Sequence, residues 1–155
     1  METIRKNFRN LLVLIALLLF GINSSAQNYA IKITSPSEGS QVSGSTLISG
    51  TATLPPSGYL WILAHKVGFN GFWPQGNGAA QVIGGSWDVL VQFGQKGEYG
   101  KFEVIALIVN AQTHQDLENW VRNAPNTTPS YQPIPLPTTI DGSPIVRLRV
   151  DKTKD

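Results

Sequence analysis

The sequence of 155 residues predicts an all-β fold: two packed sheets of seven to eight strands, with one short helix inserted before the last strand. Three observations carry that expectation. Short apolar stretches alternate with Gly, Pro, Ser and Asn turns at fairly even spacing, which is the pattern of a sandwich or barrel rather than of βαβ units. From Ser86 to Phe93, the residues Trp87, Val89, Val91 and Phe93 alternate with Asp88, Leu90 and Gln92, the period of a half-buried strand. Only Gln112 to Asn123 has helical character: it lacks Gly and Pro and sets Leu117, Trp120 and Val121 at i, i+3 and i+4.

The first residues read as a cleavable export signal spanning 1–26. Arg5, Lys6 and Arg9 stand against a single acid, Glu2, and an unbroken apolar run follows from Leu11 to Phe20. A small-x-small site, Ser24-Ser25-Ala26, closes the segment. The run has ten residues, and a bilayer-spanning helix needs roughly 20, so no membrane span is expected after cleavage. A retained anchor is the alternative. The mature chain then starts at Gln27, is 129 residues long as one domain, and is secreted or periplasmic. Of the 12 basic and 10 acidic residues, three and one leave with the signal, so nine of each remain. That balance removes the argument for nucleic acid as a partner. With no cysteine, disulfides, Cys-ligated zinc and thiol catalysis are excluded.

The strands follow in order. Tyr29 to Ile33 is stopped by Ser35-Pro36 and the turn at Glu38-Gly39-Ser40. Thr46 to Thr53 is the second, and Pro55-Pro56-Ser57-Gly58 breaks the chain before Tyr59 to Lys66, the most apolar strand. A turn-rich segment from Gly68 to Gly78 holds Phe69, Phe72 and Trp73-Pro74, and Ala80 to Ile83 is expected as a short edge strand. Ser86 to Phe93, Lys101 to Val109 and Pro144 to Val150 complete the set. Between the last two lie the helix, 112–123, and a 20-residue loop, 124–143, with Pro125, Pro129, Pro133, Pro135 and Pro137. A loop that long without periodicity is uncommon in a compact domain and is usually functional or disordered.

Several of these motifs resemble those of a bacterial immunoglobulin-like domain. They are Ile33-Thr34-Ser35-Pro36 with Gly39, Val42 and Gly44; Ile48-x-Gly50-Thr51-Ala52; Leu60-Trp61-Ile62; Gly85-x-Trp87; and Gly100-x-Phe102-x-Val104. The resemblance covers roughly Ala30 to Val109 plus the final strand, and it implies an immunoglobulin-like sandwich without implying a function. It also implies that Tyr59 to Lys66, Lys101 to Val109 and the last strand share a sheet. Two of those strands are apolar on both faces, so the outer face needs a cover. Leu117, Trp120 and Val121 of the helix are expected to provide it.

Chemistry is sparse. No nucleophile elbow, phosphate loop or dinucleotide fingerprint occurs, and no cofactor is implied. No metal is expected, and the alternative is a small envelope enzyme or metalloprotein. It would use His65 and His114, brought together under the helix with Asp116 or Glu118 nearby. Aromatic residues in loops present flat apolar faces to sugars or peptides, which makes Phe69, Phe72, Trp73 and Tyr131 the candidate ligand-binding residues. Trp73 can equally fold back to plug the end of the sandwich. The leading reading is an exported, non-catalytic module that binds a protein or glycan at the envelope or outside the cell.

Overall fold

A computed structural model describes residues 29–127 and 129–154, so the expected export signal lies outside the described residues. Within them the chain forms two sheets and one α-helix. The first sheet contains β1 (Ala30–Ser35), β3 (Ser45–Thr53) and β6 (Ser86–Gln92), in the order β1-β3-β6. The second contains β2 (Ser40–Val42), β4 (Tyr59–Lys66), β5 (Trp73–Pro74), β7 (Gly100–Val109) and β8 (Val146–Lys152), in the order β2-β8-β7-β4-β5. Every pairing is antiparallel except β2 with β8. The helix, α1 (Ala111–Asn123), begins directly after β7. Asn110 caps it, its Oδ1 accepting from the Thr113 backbone N–H at 2.9 Å.

Four expectations about strands need correction. Ala80 to Ile83 is not a strand: Ala80 bridges to Leu60 and Ile83 turns back onto Ser86. The strand beside β4 is instead Trp73–Pro74, inside the segment read as turns, where Pro74 sits against Leu63. Ser40, expected in a turn, opens β2, which pairs with Val150–Lys152. The last strand starts at Val146 rather than Pro144 and runs on to Lys152. Pro144 has no N–H to donate to a ladder.

Two cores follow from the strand faces. Between the sheets, Ile48, Trp87, Val91 and Phe93 meet Leu60, Ile62, Val104 and Ile108. Trp87 occupies this core because position 50 is glycine. A Cβ there would overlap both the Trp87 ring and the Lys32 carbonyl. The second core lies on the outer face of the larger sheet. Trp61, Leu63, Ile105, Leu107 and Val109 are fully buried there under Leu117 of α1. The helix thus covers that face as expected, with Val121 packed at its margin. Trp120 differs, sitting half-buried at the edge of the cover. The helix does not cover alone: Ile134 and Leu136, from the proline-rich segment, pack into the same core. That segment is a strap fastened across the sheet, and with α1 it forms a third layer.

Candidate functional site

The strap is fastened by side chains from two distant elements. Trp73 donates its indole N–H to the Tyr131 carbonyl at 2.9 Å, and Trp120 donates its own to the next carbonyl, Gln132, at 3.0 Å. Tyr131 itself has φ 55, a left-handed backbone that costs a non-glycine residue about 1–2 kcal/mol. Its N–H is taken by the Ala124 carbonyl at 2.9 Å, and its ring meets Trp120 edge-on at 6.2 Å between centroids. Further along, Phe72 and Ile134 exchange two backbone hydrogen bonds of 2.9 Å each. This brings the strap alongside β5 at the edge of the larger sheet. Gly71 makes that approach possible, since a Cβ there would press on the Pro133 ring. Ile140 completes the attachment by donating to the Ile108 carbonyl at 3.0 Å.

Between α1 and the strap the cover is incomplete. An open groove of about 370 Å³ runs there, walled by Leu117 and Trp120 on one side and Ile134 to Pro137 on the other. Thr113, Asp116 and Thr138 stand at its margins. Among the described residues Asp116 is the single charged group lining it, accepting a hydrogen bond from Gln112 at 3.1 Å. The indole N–H of Trp120 is committed to the strap, so the ring offers the groove hydrocarbon rather than a donor.

The four aromatic candidates divide. Phe72, Trp73 and Tyr131 converge on the strap, with Phe72 stacked on His65 at 4.8 Å. Phe69 is 57% exposed and lies apart, under the ammonium of Lys66 at 5.2 Å from its ring centroid. Trp73 is half-buried in the edge strand β5 and fastens the strap, a place that differs from a plug at the end of the sandwich. Trp120 lines the groove although sequence reasoning assigned it to the cover alone. Its place at the margin of the i, i+3, i+4 stripe is the one signal that points to it.

The histidines do not meet. His114 lies flat on Tyr59, with ring centroids 3.8 Å apart, and its Nδ1 accepts the Trp61 indole N–H at 3.3 Å. His65 is four residues beyond Trp61 on β4, about 13 Å of strand, and its Nδ1 contacts the Gly71 carbonyl at 2.9 Å. The expected juxtaposition fails because a shared face does not fix position along the strand. Glu118 approaches His114 only to 4.0 Å. Among the described residues no three His, Cys, Asp or Glu side chains group to hold a metal ion.

Two charged side chains are buried among the described residues, Lys152 at 3% and Glu103 at 8% exposed. Arg149 and Arg147 donate to the two Glu103 oxygens at 3.0 and 2.9 Å. Burial pushes this carboxyl up, but the two arginine hydrogen bonds outweigh it and hold the group below its ordinary 4.5. Among the described residues no helix is long and apolar enough to cross a membrane. No protein-family model matches the chain, and no curated protein matches it.

Proposed function

We propose that the chain is an exported, non-catalytic recognition module on an immunoglobulin-like sandwich, and that its ligand seat is the groove between α1 and the strap. One observation carries the reading: the helix and strap, the two elements added to a minimal sandwich, leave an open apolar groove between them. The strand order β1-β3-β6 against β2-β8-β7-β4-β5, with β2 parallel to β8, supports the immunoglobulin-like assignment. Of the two partner classes, protein and glycan, the lining favours protein. Both nearby indole N–H groups are already satisfied by strap carbonyls, and the walls are leucine, isoleucine and proline. A sugar ring needs donors and acceptors around its hydroxyls as well as a stacking face, whereas an apolar peptide side chain needs the face alone.

Filling the groove tests this. Thr138→Trp, at an exposed margin, blocks it without touching either core. Extracellular proteins and polysaccharides are passed over immobilised wild type and variant. A ligand held by wild type and released by the variant, at unchanged melting temperature, is the expected result. Identical retention by both overturns the assignment.

A further inference from the structure

Charge and exposed apolar surface coincide at a place formed by residues that do not line the groove. The end of the sandwich where β4 finishes and β7 begins carries two adjoining loops, 67–72 and 93–99. Lys66 laces them together: its ammonium binds Glu98 at 2.8 Å and stands 5.2 Å from the Phe69 ring centroid. Val67 donates its backbone N–H to the Lys101 carbonyl at 3.1 Å. Three large apolar side chains project there, Val67 at 45%, Phe69 at 57% and Tyr99 at 63% exposed. Lys96, Lys101 and Lys154 are exposed around them. The described acids at this end, Glu98, Asp151 and Glu38, are fewer than the basic groups. Glu98 is held by Lys66, and Asp151 faces Lys101 across the β7–β8 ladder. The chain has nearly balanced charge overall, so the excess of lysine here is local.

We propose that this end docks on an anionic lipid bilayer, with Phe69 and Val67 entering the interface, Tyr99 at headgroup level and the lysines on the phosphates. Aromatic side chains settle at the membrane–water boundary, and lysines near an anionic surface add attraction that salt screens. A polyanionic glycan would also attract the lysines, but the shape argues against it. The apolar groups stand on projecting loops rather than around a trough. The nearest depression sets two acids, Glu38 and Asp151, against Lys101 and Arg149, so it offers an anionic sugar no net positive charge. Val67 and Phe69 supply no hydrogen-bonding group, so they suit hydrocarbon better than hydroxyls.

The test uses the chain from Gln27 onward, which contains both cores, in cosedimentation with vesicles. One set is phosphatidylcholine alone and the other contains phosphatidylglycerol as well. Expected is sedimentation with the anionic vesicles, weakening as salt rises, and little with the neutral ones. Lys96→Glu with Lys101→Glu should lower the partition constant by roughly tenfold or more, and Phe69→Ser with Tyr99→Ser should lower it comparably. All four positions are exposed, and circular dichroism confirms that the variants remain folded. No binding to anionic vesicles, equal binding to neutral ones, or indifference to the aromatic pair overturns the proposal. Competition by a soluble acidic polysaccharide that needs the lysines but not the aromatics overturns it too, in favour of a polyanion. None of these residues lines the groove, so the outcome is separate from that of the Thr138→Trp experiment.

Discussion

The indole N–H of Trp73 reaches across 58 residues of sequence to the backbone carbonyl of Tyr131, at 2.9 Å. This contact makes Trp73 a fastener of the strap. Trp73→Phe keeps a ring in place and removes only the donor, so it should cost about 1 kcal/mol, the usual net value of one hydrogen bond. Trp73→Ala also loses half-buried area and should cost about 2 kcal/mol or more. Chemical denaturation of the two variants checks the order. Equal stability of wild type and Trp73→Ala would show that the strap does not depend on this fastening.

A second indole, this one fully buried, depends on a side chain of the helix. Trp61 is fully buried, and its N–H has His114 Nδ1 as its acceptor at 3.3 Å. His114→Ala removes that acceptor and the stack on Tyr59, and leaves a buried donor unpaired. The expected loss is about 2 kcal/mol or more. In a Trp61→Phe background there is no donor to orphan, so His114→Ala should cost about 1–2 kcal/mol less. A double-mutant cycle by urea unfolding reads the coupling, and a value of zero would remove the hydrogen bond from the account.

Acid should weaken the protein in a defined window. The carboxyl of Glu103 is held below 4.5 despite burial, and that of Glu98 is also lowered, chiefly by its hydrogen bond from Lys66 and next by the Gln95 backbone N–H. A depressed carboxyl contributes stability that is fully present above its unfolded value and is lost as pH falls through the folded one. Thermal stability should therefore be level from neutral pH down to about 4.5 with respect to these groups, and fall below it. Glu103→Gln should cost about 1 kcal/mol at neutral pH, at the low end for charged pairs because both arginines are partly solvated. The gap from wild type should close in acid. A gap that widens as pH falls would reverse the assigned sign.

What the sequence makes legible is set by the range of the physics involved. Alternation along 86–93 places Trp87, Val89 and Val91 inside, because side-chain period is a local property. Apolar residues on both faces of β4 and β7 announce a second core, and a helix with the right stripe follows β7 at once. The strap is harder to read. Its fixing points are backbone carbonyls, which every residue possesses, and the donors come from Trp73 and Trp120. β2 is harder still: Ser40-Gln41-Val42 has no apolar pattern of its own and exists by pairing with Val150 to Lys152. The groove is invisible for a related reason. The stripe Leu117, Trp120, Val121 says which face of the helix is apolar, while the gap depends on how far the strap stands from it.

The outer cover leads to the last prediction. Leu117 is 3% exposed over a face on which Trp61, Leu63, Ile105, Leu107 and Val109 are all fully buried. Leu117→Ala deletes its contact with that face and should cost about 2–5 kcal/mol, depending on how far the helix settles into the space. The direction in which the protein then fails is also specified. Loosening α1 uncovers the outer face of the larger sheet, while the core between the sheets keeps its own residues, Ile48, Trp87 and Val91 among them. Self-association should therefore begin while strand content persists. Light scattering should rise at a temperature below the loss of the β signal in circular dichroism. Deletion of 112–123 should bring that association to room temperature. A soluble monomer after the deletion would show that the outer face does not require its helix.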